Sequence, residues 1–333
     1  MKHFLRTIVL FIGIPIIILL GFYFITDPFK MLKPFSLTYF DDTNRDYMST
    51  ELFLKNNPIY KYDSFIFGSS KGCGLNTYHW QKYLSQGSRQ FLFQAWGESL
   101  TGIEQKIAYL DNNDSDIKNA IVLIDIPGSF AKKQLPTEAL SIKDYKISGQ
   151  SRFTFHTIMF WNYLQKPSFW YSSVKKRIKN TKPSIGFDTI SNDWEKNNSL
   201  VDVNIQPSKD SLSNCSKTVR NSFLREVESK TDADLKESPA LINDDFKEQL
   251  LHIKSIFTKH GTDYRIIVTP AYCYTHPSIN KQDLKTLQNI FGEQYVFDYS
   301  GKNELTSDCY NFSDPNHFGL CVGWQIIEDI YNK

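Results

Sequence analysis

The strongest constraint on this chain is a long apolar segment close to its N-terminus. Residues 7–26, twenty in all, carry no charged side chain and are apolar at almost every position. An α-helix rises about 1.5 Å per residue, so a helix of this length spans about 30 Å, the thickness of the hydrocarbon core of a bilayer. Tyr23 and Phe24 stand where interfacial aromatic residues usually lie. The segment therefore predicts one transmembrane helix over residues 7–26.

A cleaved signal peptide and a buried core helix are the alternatives to an uncleaved anchor. A signal peptide has a shorter apolar region followed by a cleavage site between small residues, and residues 21–34 contain no such site. Basic residues stand on both sides of the segment, so the positive-inside rule hardly separates the two orientations. A short basic N-terminus, residues 1–6, ahead of a large domain favours an external domain. We expect a single-pass protein of the bacterial inner membrane with its domain on the periplasmic or extracellular side.

Net charge and the spacing of cysteine and histidine bear on the partners. The 333 residues have a formal net charge of +2, so we expect no nucleic-acid partner. The five cysteines contain no Cys-x-x-Cys pair and the histidines are scattered, so we expect neither a metal nor a dissociable cofactor. An external domain is compatible with one or two disulfides, and a bridge from Cys309 or Cys321 would brace the segment between them. Buried unpaired thiols are the alternative.

Beyond a linker and lead-in helix over residues 27–60, short apolar runs alternate with amphipathic helical segments throughout residues 61–333. The runs that predict strands cover residues 62–67, 90–94, 120–125, 264–270 and 295–298. This alternation predicts a mostly parallel sheet of roughly five strands with helices on both faces, a three-layer α/β sandwich. In such sheets, functional groups gather at the carboxyl ends of the strands.

An insertion interrupts the alternation at about residues 130–244. It contains eight aromatic residues between Phe153 and Tyr171, followed by a basic run at residues 175–177. A lid, a glycan platform and a membrane-surface contact would each use such a surface, and a subdomain that buries its own aromatic side chains is the alternative. Arg152 and the basic run offer a contact for an anionic glycan or a lipid headgroup, unless they form only a solvated face.

The first candidate for chemistry is the turn that follows the first predicted strand. The apolar residues 65–67 run directly into Gly68-Ser69-Ser70, which places the Ser70 hydroxyl at the carboxyl end of a strand. Free backbone N–H groups in such a turn can bind a developing oxyanion. Taken alone, this tripeptide is also common in ordinary turns.

The second candidate is the segment Asp314-Pro315-Asn316-His317 near the C-terminus. An Asp three residues before a His, held in one turn by proline, can accept a hydrogen bond from the imidazole Nδ1–H, which leaves Nε2 to act as a general base. A helix directly after the turn would place its positive end near His317 and keep the ring neutral. Alternatively, Asp314 is simply the cap of that helix.

Together these two turns resemble those of the SGNH/GDSL hydrolases. In that family the nucleophile stands in a Gly-Asp-Ser turn after the first strand, and an Asp-x-x-His motif lies near the C-terminus. The resemblance implies that Ser70 is the nucleophile, with Ser69 in place of the family's Asp, and that Asp314 and His317 are its partners. Phe-Gln-Ala-Trp-Gly, ending at Gly97, resembles the second family block, which implies an oxyanion hole formed by the backbone N–H groups of Ser70 and Gly97.

The third family block departs from the pattern. The family usually places an Asn in a turn after the third strand, whereas this strand ends at Asp125, for which we consider substrate binding and turn capping. The chain looks like the membrane-anchored branch of the family, which includes alginate O-acetylating proteins and the teichoic-acid D-alanine transfer protein. Members of that branch also join a membrane helix to a domain with a divergent third block. The resemblance covers about residues 60–130 and 245–333.

The resemblance implies a serine-dependent esterase or O-acyltransferase that acts, without a cofactor, on an acyl ester of an envelope polysaccharide or glycolipid. Water as the acceptor would make it an esterase, and a sugar hydroxyl would make it a transferase. The anchor implies a substrate or partner at the bilayer, such as a multi-spanning protein that exports acyl groups. The alternative is a catalytically inactive SGNH-like envelope protein that binds glycan or a membrane partner.

Overall fold

The computed structural model describes residues 2–29, 31–32, 44–131, 142–165 and 229–332, together with residues 223, 225 and 227. Two compact units divide the chain, one drawn from Met1–Met48 and Gln134–Gly186 and the other from Ser49–Lys133 and Phe187–Lys333. The basic run at 175–177, the aromatic residues 169–171 and Cys215 lie outside the described residues.

Helices and strands are numbered here along the described residues. The helices are α1 (Lys2–Ile8), α2 (Ile14–Thr26), α3 (Arg45–Tyr60), α4 (Thr77–Gln81), α5 (Leu100–Asn112), α6 (Tyr145–Ser148), α7 (Arg152–Gln165), α8 (Asp244–His260), α9 (Lys281–Phe291) and α10 (Leu320–Asn332). The strands are β1 (Ser64–Gly68), β2 (Gln90–Gln94), β3 (Asn119–Ile124), β4 (Asp263–Val268), β5 (Val296–Asp298), β6 (Phe312–Asp314) and β7 (His317–Phe318).

In the first unit, the N-terminal apolar segment is helical throughout. A π-helical stretch, Val9–Gly13, joins α1 to α2 without a break. Over Arg6–Thr26 this helix is long and apolar enough to cross a membrane, and only a small part of it is buried. The predicted N-terminal apolar helix is therefore confirmed, and its exposure is unlike that of a soluble core helix, which would be mostly buried. A signal sequence near the N-terminus would have the same length and the same apolar composition as this helix.

Helix α7 of the same unit packs against the end of α2. The ring of Tyr23 lies 5.3 Å from that of Phe160 and 5.1 Å from that of Tyr163, centroid to centroid. Ahead of α6, the backbone N–H of Asp144 donates to the Asp46 carboxylate at 2.9 Å. These contacts join α7 and the segment before it to the N-terminal part of the chain.

The second unit contains a five-stranded parallel sheet in the order β2-β1-β3-β4-β5. Ser64 of β1 lies opposite Gln90 on one side and Asn119 on the other. The predicted α/β fold with a parallel sheet of about five strands is therefore confirmed. Strand β4 ends at Val268, two residues earlier than predicted, and Pro270 has no N–H with which to extend the ladder.

The two faces of the sheet bury different side chains. Ile66 and Leu92 belong to a buried cluster that includes Ile326 of α10. Their neighbours along the strands point to the opposite face, because side chains alternate along a strand. There the ring of Phe93 lies 5.3 Å from that of Phe53 in α3. The aromatic richness of the strands is thus used to pack the sheet.

Candidate active site

Ser70 lies at the carboxyl end of β1, at the start of a short 3-10 helix that covers Ser70–Gly74. Ser69 caps this helix: its Oγ accepts a hydrogen bond from the Lys71 N–H at 3.2 Å, and its carbonyl accepts one from the Gly72 N–H at 3.0 Å. Ser70 itself is half-buried. The cap therefore holds the turn while the neighbouring hydroxyl stays accessible.

Asp314 and His317 lie opposite each other in the antiparallel hairpin formed by β6 and β7. Oδ1 of Asp314 accepts the backbone N–H groups of Asn316 at 2.9 Å and His317 at 3.1 Å. The imidazole Nδ1 lies 2.9 Å from both carboxylate oxygens. Since α10 begins only at Leu320, the Asp314 carboxylate makes its hydrogen bonds within the hairpin rather than at a helix end.

The hairpin brings His317 to Ser70 across 247 positions of sequence. The Ser70 Oγ lies 2.8 Å from His317 Nε2. A carboxylate can only accept hydrogen bonds, so a neutral imidazole facing Asp314 carries its proton on Nδ1. Its Nε2 then carries no proton and can accept the hydrogen bond of the serine hydroxyl. The three predicted catalytic residues therefore form one continuous hydrogen-bonded chain, and the histidine side chain is 40% exposed, open to a substrate.

Hydrogen bonds determine the charge state of Asp314. Partial burial raises the pKa of its carboxyl group, but the hydrogen bonds from the His317 ring and from the backbone N–H groups of Asn316 and His317 outweigh burial and lower the pKa below its ordinary value. The carboxylate is therefore ionised at neutral pH. An ionised partner both orients the imidazole and stabilises the imidazolium that forms when the ring takes a proton.

Two glycines allow the hairpin to approach the serine turn. A Cβ atom on Gly74 would lie 2.3 Å from the ring of Phe318, the residue after His317. A Cβ atom on Gly323 of α10 would lie 1.8 Å from the carbonyl oxygen of Gly74. Both distances are far below van der Waals contact, so a side chain at either position would force the Phe318 ring or the Gly74 backbone to move.

A buried polar network lies directly behind the serine turn. The Lys71 Nζ donates to Thr269 Oγ1 at 3.0 Å and lies 3.7 Å from Asp125 Oδ1. The Thr269 hydroxyl in turn donates to Asp125 at 2.6 Å. Lys71 is 6% exposed and Asp125 9% exposed, so the ion pair is almost fully removed from water. The network joins the ends of β1, β3 and β4.

Sequence reasoning missed Lys71 and Thr269, since a lysine that follows two serines in a turn looks like a surface residue. The position of Thr269 just before Pro270, at a strand end, is the signal that was available for it. Asp125 lies at the predicted edge of the sheet, with its carboxylate bonded to protein groups. Its role in substrate binding stays a prediction.

Gly97 follows β2, the strand next to β1. Gly68 lies opposite Gln94 at the end of that pair, so Ser70 and Gly97 both stand just beyond the same edge of the sheet. Gly97 has a φ of 55°, in the left-handed region that favours glycine, and it is exposed. Among the described residues, the Ser70 N–H has no hydrogen-bond acceptor.

The cysteines near the site differ in state. Cys321, in the first turn of α10, is disulfide-bonded, whereas Cys273 and Cys309 are thiols. The Cys73 Sγ donates to Gln94 Oε1 at 3.1 Å. Of the two cysteines expected to brace the hairpin through a bridge, Cys321 is the one that forms a disulfide.

Comparison with known proteins adds no family name, because no protein-family model matches the chain and no curated protein is significantly similar to it. The resemblance to SGNH/GDSL hydrolases therefore rests on the sequence motifs and stays a prediction.

Proposed function

We propose that this chain is a serine-dependent esterase or O-acyltransferase of the SGNH type, with a three-layer α/β sandwich as its catalytic domain. The observation that carries the proposal is the hydrogen-bonded series Ser70 Oγ, His317 Nε2, His317 Nδ1 and Asp314, with separations of 2.8 and 2.9 Å. A nucleophile within hydrogen-bonding distance of a base, and a base oriented by a third group, is the arrangement that covalent acyl transfer requires.

In the first half of the reaction, Ser70 Oγ attacks the carbonyl carbon of an acyl ester while His317 Nε2 takes the hydroxyl proton. The tetrahedral intermediate expels the alcohol, which receives that proton from Nε2, and the acyl group stays on Ser70. In the second half, His317 deprotonates water or a sugar hydroxyl, which attacks the acyl carbonyl and releases Ser70 with its proton restored. Asp314 stays ionised throughout and stabilises the imidazolium.

The negative charge of the tetrahedral intermediate needs hydrogen-bond donors. The unpartnered N–H of Ser70 and the N–H of Gly97 are the donors we propose, since both follow strand ends at one edge of the sheet. A side-chain amide after β3 is missing, because Asp125 stands there and is bonded to Thr269. One missing donor typically raises the barrier by about 3 kcal/mol, so we expect a slow enzyme or one that gains a donor from its substrate or partner.

We further propose that residues 7–26 anchor the chain in the bacterial inner membrane, with the catalytic domain on the periplasmic or extracellular side. The exposed apolar helix supports the anchor. The disulfide at Cys321 supports the external side, because disulfides persist in oxidising compartments. The substrate class that fits this place is an acylated envelope polysaccharide or glycolipid, and a multi-spanning acyl-exporting protein is the partner that would supply acyl groups.

Covalent labelling tests the proposal directly. The detergent-solubilised full chain is treated with a fluorophosphonate between about pH 6 and pH 9, and the modified peptide is identified by mass spectrometry. We expect the label on Ser70, and its loss in Ser70→Ala. Ser255→Ala removes an exposed hydroxyl on α8 and should label like the wild type. A folded wild-type protein that takes no label over this range would contradict the proposal.

The alternative is a non-catalytic envelope protein that binds glycan. The observation that favours it is Asp125 at the end of β3, where the family provides an amide donor. If this alternative holds, the wild type and Ser70→Ala bind acylated glycan with equal affinity, and neither releases acyl groups from it. An enzyme would release them only with Ser70 intact.

A further inference from the structure

A groove of about 620 Å³ lies between the last turns of α2 and the first turns of α7, within the first unit. Its walls are mainly apolar: Leu20 and Phe24 come from α2, and Phe153 and Phe160 come from α7, with Leu32 beside them. This volume is in the range of about 300–1,000 Å³ that is usual for small-ligand sites. An apolar groove of this size is the shape that an alkyl chain fills.

The position of α2 gives the depth of the groove. The apolar helix covers 21 residues, Arg6–Thr26, which corresponds to about 32 Å. Leu20 is six residues before the end of this helix, so it lies about 9 Å below it, at a rise of about 1.5 Å per residue. In the membrane anchor that we propose, a wall formed by Leu20 and Phe24 stands at the boundary between hydrocarbon and headgroups, where the surrounding molecules are lipids.

The polar groups of the groove lie at the start of α7. Arg152 is exposed, and His156 follows it on the same helix face, four residues later. The Nδ1 atom of His156 is buried and has no hydrogen-bond partner among the described residues. Asp27, the nearby acid, already accepts the backbone N–H groups of Met31 and Leu32 at 2.9 and 3.2 Å. The groove thus presents the guanidinium of Arg152 to an incoming anionic oxygen, with the ring of His156 as part of the wall beside it.

Exposed aromatic side chains on α7 point to the same surroundings. Phe153 is 82% exposed and Trp161 is 59% exposed. Two large rings exposed on one helix are unfavourable in water, since burying apolar surface of this kind stabilises a protein. At the interface of a bilayer, the same rings form part of the aromatic belt.

We propose that this groove binds one acyl chain of a membrane glycerophospholipid, whose phosphate lies at Arg152, and that α7 lies along the membrane interface. The proposal rests on the membrane anchor of the proposed function and not on the chemistry of Ser70. Continuity with the apolar helix selects a lipid as the occupant, because the helix that crosses the hydrocarbon also forms one wall of the groove.

Photolabelling of the full chain in vesicles tests the proposal. The vesicles contain phosphatidylcholine and phosphatidylglycerol, with a small fraction of either lipid carrying a diazirine in one acyl chain. After irradiation and digestion, we expect lipid adducts on residues 152–161 as well as on residues 7–26. Adducts on 7–26 alone would overturn the groove and leave the anchor standing, and adducts on neither segment would overturn both.

Matched variants separate the groove from general contact with the membrane. Thr157→Trp fills the groove, whereas Thr154→Trp makes the same change on an exposed part of the helix that does not line it. We expect the first to lower adduct formation on α7 several-fold and the second to leave it unchanged. Equal labelling of both variants, each with wild-type thermal unfolding, would refute an acyl chain in the groove.

A third variant tests the headgroup contact without filling the groove. Arg152→Gln should lower labelling by the phosphatidylglycerol probe several-fold, because the guanidinium is the charged group at the groove. Unchanged labelling would refute a phosphate at Arg152. In a separate experiment, a photoreactive diazirine amino acid replaces Phe153. Protein–protein adducts through this residue that increase with protein concentration would identify a second copy of the chain as the occupant and overturn the lipid.

Discussion

The carboxylate of Asp314 accepts hydrogen bonds both from the hairpin backbone and from the His317 ring. It accepts two backbone N–H groups of its own turn and also the Nδ1–H of His317. The backbone bonds fix the carboxylate, and the fixed carboxylate orients the imidazole towards Ser70. A single residue therefore determines both the tautomer and the direction of the base.

Replacing Asp314 by Asn should slow fluorophosphonate labelling of Ser70 by about 10²- to 10⁴-fold, because an amide does not hold the imidazole in the required tautomer. Asp308→Asn is the control, since Asp308 accepts a backbone N–H at 2.9 Å in the same region but lies outside the triad. Labelling rates by mass spectrometry report the difference. Equal rates for Asp314→Asn and the wild type would remove Asp314 from the site.

The same variant has a pH signature. The pKa of Asp314 is lowered in the folded protein, so the contribution of its ionised form to stability is complete above the ordinary Asp pKa of about 3.9 and is lost as the pH falls below it. We expect the free energies of unfolding of wild type and Asp314→Asn to differ at pH 6 and to converge towards about pH 2. A constant difference across this range would contradict the assignment.

Lys71 follows Ser70, the nucleophile that we propose, and its buried ammonium group contacts Thr269 and Asp125. Lys71→Met leaves the Asp125 carboxyl group in a buried site without its cation, and breaking a buried pair in this way costs roughly 3–5 kcal/mol. The double variant Lys71→Met/Asp125→Asn also removes the buried carboxyl group, so it should recover part of the lost free energy of unfolding. Urea unfolding measures both effects.

The matched control for Lys71 is Lys302→Met, which removes one partner of an ion pair that lies in solvent. It should change the free energy of unfolding far less than Lys71→Met. If the two variants were equally destabilised, or if the double variant were no better than Lys71→Met, the buried pair would not be holding the turn.

At the scale of elements, α10 and the 3-10 helix after β1 pack backbone against backbone. Trp80 Nε1 of α4 donates to the Tyr331 hydroxyl at 2.8 Å, which ties α10 to the segment that follows the serine turn. The hairpin β6–β7 leads directly into α10. The distance between Ser70 and His317 therefore depends on how closely this helix approaches.

Gly323→Ala tests that approach. Alanine ordinarily favours a helix over glycine by about 1 kcal/mol, but here its Cβ would meet the Gly74 carbonyl oxygen at 1.8 Å. We expect a net destabilisation of about 1–3 kcal/mol and much slower labelling of Ser70, because α10 and the hairpin must move away from the serine turn.

Gly319→Ala is the control at the start of the same helix. A Cβ there would be 3.7 Å from the Asn311 carbonyl oxygen, an ordinary contact. This variant should keep both its stability and its labelling rate. Labelling at the wild-type rate in Gly323→Ala would show that the close approach of α10 does not position His317.

At the scale of the whole molecule, the oxidation state of the cysteines bears on the external location that we propose for the domain. Cys321 is disulfide-bonded, whereas Cys273 and Cys309 are thiols. A disulfide in the first turn of α10 constrains the helix that follows the hairpin, and it persists where thiols are oxidised. This arrangement is consistent with the external domain that we propose.

Protein isolated from membranes without reductant should therefore give a distinct alkylation pattern after denaturation. We expect Cys273 and Cys309 to react with a maleimide at once, and Cys321 to react only after reduction. Peptide mass spectrometry distinguishes the three. Alkylation of Cys321 before reduction would contradict both the disulfide and its support for an oxidising compartment.

The sequence by itself determined the five strands of the parallel sheet and the N-terminal apolar helix, but not the strands β6 and β7. Buried parallel strands need continuous apolar runs, so residues 90–94 could be identified as a strand from their composition alone. The apolar helix before Asp27 could also be identified from composition, because its residues are apolar at almost every position. The motifs around Ser70 and His317 also indicated which side chains to examine.

Only the tertiary structure decided how those residues meet. The bond from Ser70 to His317 joins segments 247 positions apart, and no local pattern encodes that distance. The short hairpin at Asp314 and the burial of Lys71 depend equally on what packs against them from β4 and α10. Local composition determines secondary structure, whereas the geometry of the site follows from long-range packing, such as the close approach of Gly323 to the Gly74 carbonyl oxygen.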